Sequence, residues 1–155
     1  MSFFPDYTAV VSLTAAQIKT LHTTPVVVAP GKAGCIIDVK SMVIVYHYGG
    51  TPFNPSMQDA VCFITGTLPN AFVGYSGDTI AAAGFCDQTT DQFVQSSPWW
   101  VVGSEDASIP LSDVIGSGIS IWQYAGVSAS WPTGANWSSG NGTFTVYVTY
   151  SYIVA

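Results

Sequence analysis

Arginine is absent from this chain, and lysine occurs only as Lys19, Lys32 and Lys40. Against nine acids these leave a net charge of −6 and no basic stripe that could follow a phosphate backbone, so nucleic acid is not an expected partner. Beyond residue 40 there is no lysine or arginine at all. Charged residues make up 8% of the sequence, where a soluble protein has about a quarter. The surface must instead be built from 32 serines and threonines, backbone and aromatic rings, which points to other protein surfaces as partners.

Long apolar runs are also lacking. Stretches such as Val26–Pro30 and Met42–Tyr46 fall far short of the ~20 residues that a membrane-spanning helix needs. Only the last strand candidate has the length and alternation of a barrel strand, so no membrane partner is expected. The cysteines, Cys35, Cys62 and Cys86, are odd in number and have no C-x-x-C spacing, which argues against a disulfide framework and a zinc site. Residues Met1–Tyr7 lack the basic region and apolar core of a secretory signal, and synthesis in a cytoplasm is the expectation.

What is present is a globular composition, 48% hydrophobic, enough to bury about two-thirds of the unfolded surface around one core. The expected organisation is an arm, residues 1–7, followed by a single domain, 8–155. A short strand at Ala9–Ser12 leads into a helix start, where Thr14 and Gln17 have the spacing of a capping box and Leu13 and Ile18 that of a hydrophobic staple. Thr23-Thr24-Pro25 limits this helix to about two turns.

Beyond it the signals are β. Strands are expected at Pro25–Ala29, Cys35–Tyr48, Ala60–Thr65, Pro98–Val102, Gly118–Tyr124 and Thr143–Val154, with weaker ones near Phe72–Tyr75 and Phe93–Gln95. In Cys35–Tyr48 the first half alternates, with Asp38 and Lys40 opposite Ile37 and Val39, while the second half is apolar on both faces. Thr143–Val154 sets Phe144, Val146, Val148, Tyr150 and Tyr152 on one face and hydroxyls with Tyr147 on the other. Short strands separated by Gly/Pro/Ser/Asn turns predict an all-β protein, an antiparallel β-sandwich of jelly-roll-like type with one short N-terminal helix.

Signals for chemistry are sparse. His22 closes the short helix, where it would favour the helix C-terminus. His47 follows an apolar strand between Tyr46 and Tyr48 and reads as a satisfied group or a pH-sensitive interface residue. Neither lies in a nucleophile or metalloprotease motif. Asp87 and Asp91, and Glu105-Asp106, mark acidic loops without calcium-loop spacing. No catalytic residue, metal or cofactor is therefore expected, and the chain reads as a non-enzyme. Four tryptophans stand in or beside loops rich in small polar residues: Trp99, Trp100, Trp131 and Trp137. Such loops bind glycans or proteins, while the alternative places one tryptophan of each pair over the core.

The segment Ser12-Leu13-Thr14-Ala15-Ala16-Gln17-Ile18-Lys19-Thr20-Leu21-His22-Thr23-Thr24-Pro25-Val26 resembles the opening of a group of small tailed-bacteriophage virion proteins. In these, S-L-T-x-x-Q-I-K-x-L-x-x-T-P-V leads into a Pro/Gly turn, here Pro30–Gly34, and a long strand ending in Tyr-Gly, here Tyr48-Gly49. The resemblance covers residues 12–49 and, more loosely, 140–153. It implies a virion structural protein: a capsid decoration (cement) protein or a fibre head.

Small size, low charge and stability without disulfides favour the decoration protein, made in the host cytoplasm and bound to the major capsid protein on the capsid surface. The expected assembly is a homotrimer, with Val43 and Val45 or Tyr147 and Thr149 at the subunit contact. Phe3, Phe4 and Tyr7 are candidate capsid contacts, since exposed aromatics in an arm should dock onto something. The alternative is a tail or fibre receptor-binding module that recognises host glycan through Trp99, Trp100, Trp131 and Trp137.

Overall fold

A computed structural model describes residues 5–55, 59–65, 72–73, 80–96, 114–125 and 136–155. Its elements are β1 (Tyr7–Leu13), α1 (Ala15–Lys19), β2 (Val26–Ala29), β3 (Cys35–His47), β4 (Asp59–Thr65), β5 (Phe72–Val73), β6 (Ile80–Ala81), β7 (Gln92–Ser96), β8 (Ile119–Ala125) and β9 (Thr143–Val154). The strands form two antiparallel sheets packed face to face, an all-β sandwich with one short helix. Sheet A has four strands in the order β1-β9-β3-β7; sheet B has five, in the order β2-β8-β4-β5 with β6 also on β4. The expected strand Pro98–Val102 lies outside the described residues.

Helix α1 forms where the capping box requires. Gln17 Oε1 accepts from the Thr14 N–H at 2.9 Å, and Thr14 Oγ1 accepts from the Gln17 N–H at 3.4 Å. Both orphan donors are thereby satisfied, and Leu13 and Ile18 are buried on either side of the cap. The helix stops sooner than expected, after Lys19, and residues 20–24 continue as a turn. Here His22 does more than complement a helix end. Its Nδ1 lies 3.2 Å from the Gln123 carbonyl, its ring stacks on Trp122, and Trp122 Nε1 donates to the His22 carbonyl at 2.9 Å. Because a carbonyl only accepts, Nδ1 carries the proton. The connection is pinned to β8 at two points.

Strand β9 is the centre of sheet A, paired with β1 on one side and β3 on the other. Its inward residues Phe144, Val146 and Val148 are fully buried, each contributing about 1.5–3 kcal/mol relative to exposure. Strand β3 departs from simple alternation. Val39 faces Tyr150 and Ser41 faces Thr149, so Lys40 is an extra residue in the ladder. This bulge switches the inward set from Cys35, Ile37 and Val39 to Met42, Ile44 and Tyr46. The apolar second half of β3 therefore keeps an inside and an outside, with Val43 and Val45 on the latter.

One end of the sandwich is closed by rings. Tyr46, Phe53, Phe85, Trp137 and Phe144 surround one another, with centroids from 5.6 Å for Phe53–Trp137 to 6.2 Å for Phe53–Phe144. The strands leaving this cluster are tied together by asparagines. Asn54 Oδ1 accepts from the N–H groups of Ser138 and Ser139, and Asn141 Oδ1 accepts from that of Thr51.

Candidate interaction face

The outer face of sheet A carries three cross-strand rows fixed by the register. One runs Val10, Tyr147, Val43, Gln95 across β1, β9, β3 and β7; the next runs Ser12, Thr145, Val45, Phe93. A third begins Thr8, Thr149, Ser41. Side chains alternate across a strand, so all of these lie opposite the core. None is charged. Phe93 is 73% exposed, Val10 58% and Tyr147 41%. The Thr8 and Thr149 hydroxyls lie 3.4 Å apart.

The four subunit-contact candidates, Val43, Val45, Tyr147 and Thr149, are thus brought together on one face, although they come from strands a hundred residues apart. Sequence reasoning missed Val10 and Phe93. Val10 has apolar neighbours at Ala9 and Val11, so alternation could not say which of them points out. Phe93 was legible as a strand residue without a face.

Each end of this face carries a carboxylate with a hydrogen-bonded partner. At one end Lys40 Nζ donates to Asp38 Oδ2 on the surface. At the other, Asp91 receives two elements: its Oδ1 accepts from the Tyr48 N–H at 2.8 Å, and its Oδ2 lies 3.3 Å from His47 Nδ1. The Tyr48 amide, then the His47 ring, hold the Asp91 carboxyl below the usual carboxylate range. The other imidazole nitrogen, Nε2, lies 3.2 Å from Thr145 Oγ1. Asp91, His47 and Thr145 stand in the order of orienter, base and hydroxyl found in nucleophilic triads. Thr145, however, lies inside β9 between β1 and β3, so the surrounding backbone N–H groups are committed to the ladders and do not converge on an oxyanion position. The arrangement clips the ends of β3, β7 and β9 together.

The remaining candidates separate. Trp137 is corrected from glycan contact to core: it is 4% exposed, and its Nε1 donates to the buried Asp59 Oδ2 at 2.8 Å. A tryptophan ring buried inside the sandwich presents no face to a sugar. Trp99, Trp100 and Trp131 lie outside the described residues, as do Phe3, Phe4 and the Glu105-Asp106 loop. Tyr7 belongs to β1, not to a free arm; it pairs with Tyr150 and packs on the Tyr150 and Tyr152 rings at 5.7 and 5.5 Å. Asp87 accepts from the Gly84 N–H and from Gln88 Nε2, so its carboxylate is engaged by protein donors. Among the described residues no three His, Cys, Asp or Glu side chains converge as a metal site.

Comparisons with known proteins give little. No family model matches the chain, and no curated protein matches it significantly. Among solved structures, a chain from the cyanophage Pam1 capsid asymmetric unit is similar with a TM-score of 0.42 and 15% identity, over 95% of this chain and 83% of that one.

Proposed function

We propose that this chain is a structural protein of a bacteriophage virion, a decoration protein that binds the assembled capsid as an oligomer and stabilises it. The observation that carries the reading is the outer face of sheet A, whose three registered rows are uncharged and whose carboxylates at either end, Asp38 and Asp91, are hydrogen-bonded to partners. Another protein can cover such a face without stranding an ion away from water. Its mixture of exposed apolar and hydroxyl groups suits a contact with a neighbouring subunit.

Two further observations support it. Residues 12–49, which carry the phage resemblance, form one continuous unit from the end of β1 through α1 and β2 to β3. The sheet orders β1-β9-β3-β7 and β2-β8-β4-β5 support a jelly roll, an architecture used by viral capsid domains. In this reading the partners are the major capsid protein and other copies of the chain, arranged as a cyclic homotrimer, and the protein performs no catalytic step.

Quantitative mass spectrometry and cryo-electron microscopy of purified virions test the proposal. Hundreds of copies spread over the shell are expected. A handful confined to one vertex would replace decoration with a tail role.

A further inference from the structure

Strand β1 lies at one edge of sheet A and β2 at one edge of sheet B, and the two are finished differently. Strand β2 is four residues long, bracketed by Pro25 and Pro30 and bulged between Val27 and Ala29. Shortness, proline and bulging are devices that keep an edge from pairing with a foreign strand. Strand β1 has none of them. Its seven residues run in unbroken register from Tyr7↔Tyr150 to Leu13↔Phe144, without a charge or a proline. Among the described residues β9 is its one strand partner. Within the described residues, the other side of β1 offers a row of backbone donors and acceptors to an incoming strand.

We propose that β1 is a strand-addition site whose occupant is β1 of a second copy of this chain, running antiparallel about a two-fold axis at Val10. The strand's own sequence selects that occupant. Tyr7-Thr8-Ala9-Val10-Val11-Ser12-Leu13 is palindromic in side-chain character about its centre. Across the axis Val10 meets its own copy, Ala9 meets a valine, Thr8 a serine and Tyr7 a leucine. Every pair is apolar with apolar or hydroxyl with hydroxyl, the cross-strand matches that stabilise antiparallel neighbours, and no like charges oppose one another. A two-fold axis requires such self-complementarity of a surface.

The contact joins two four-stranded sheets into one continuous sheet and merges their uncharged outer faces. It goes beyond the decoration reading, because it uses the sheet edge and leaves the face to the contact proposed for it above. On a shell carrying trimers at its three-fold positions, it ties neighbouring trimers across the two-folds between them.

Native mass spectrometry of the full chain, with V10K, V10E and their equimolar mixture, tests it. Val10 is 58% exposed, so both variants are expected to fold, which circular dichroism checks. The wild type should hold an even number of chains. Each variant alone should halve that mass, and the mixture should restore it, because lysine then faces glutamate across the axis. A wild type with one chain or an odd number, variants that keep the wild-type mass, or a mixture that stays halved each overturn the proposal. Val10→Cys gives a second readout: mild oxidation should link the chains into covalent dimers through position 10, while Cys35 and Cys86 stay buried and reduced. Failure to cross-link there overturns it equally.

Discussion

Aromatic rings close both ends of the β3–β9 pair, but with different chemistry. At the Tyr46–Phe144 end the rings are buried and mostly hydrocarbon, with Trp137 donating to Asp59 at 2.8 Å and the Tyr46 hydroxyl to the Gln88 carbonyl at 3.4 Å. At the other end Tyr7, Tyr150 and Tyr152 pack together, Tyr152 donates to the Pro30 carbonyl at 2.8 Å, and the Lys32 ammonium stands 5.3 Å above the Tyr152 ring. The first end excludes water by volume. The second lets phenol oxygens and an ammonium reach the surface over an apolar base. A ring lost from the first leaves a cavity, whereas a hydroxyl lost from the second leaves the packing intact.

Truncation of the hydrocarbon end should have the largest effect. Phe144→Ala or Trp137→Ala is expected to cost about 3–5 kcal/mol by denaturant unfolding, from lost transfer energy and cavity. A loss below 1 kcal/mol would erase the distinction between the ends. Next comes Gly140, which has a φ of +110° and where an added Cβ would meet the Phe53 ring at 2.2 Å. Gly140→Ala should cost about 1–3 kcal/mol in the same measurement, because both backbone and ring must give.

At the phenol end, Tyr152→Phe should cost only about 1 kcal/mol, the worth of one hydrogen bond. Burial first, then the neighbouring Tyr150 hydroxyl, pushes the Tyr152 phenol up to about 12. Burial does the same to Tyr46, also to about 12. The folded state thus holds both phenols neutral: their contribution is intact below pH ~10, where a free phenol titrates, and is lost as pH rises through the folded values. Melting temperatures measured from pH 9 to 12 should fall less steeply for Tyr46→Phe than for the wild type.

The smallest effect belongs to Asp91. Its lowered pKa means that its contribution is present above the unfolded carboxylate value of about 3.9 and disappears as pH falls through the folded one. Asp91→Asn should lower the melting temperature slightly at pH 7, where the contribution is present, and converge with the wild type below pH ~4, which flattens the acid limb.

The two ends also differ in how far they could be read from the sequence. Strand β9 was legible on both faces because Phe144, Val146, Val148, Tyr150 and Tyr152 alternate with Thr143, Thr145, Tyr147, Thr149 and Ser151. The capping box fixed the start of α1, because both of its partners lie within four residues. Strand β3 was legible as an alternation in its first half only: the extra residue at Lys40 shifts the phase, and a bulge leaves no compositional mark. The burial of Trp137 depends on Asp59, and the Asp91 clip on His47, partners separated by tens of residues. The outer face was half visible. Val43, Val45, Tyr147 and Thr149 could be named as contacts, but their common plane appears only with the β3–β9 register.

The central place of β9 has a consequence in time. Sheet A is held through pairs such as Tyr7 with Tyr150 and Cys35 with Val154, each more than a hundred residues apart. Pairings of such separation form late and slowly, because a long loop must close before any contact rewards it. While the chain is being made, β1 and β3 exist as apolar strands with no common neighbour. Strand β3 can pair with β7 before then, but β1 joins sheet A only when Phe144–Tyr152 arrives to separate and join them.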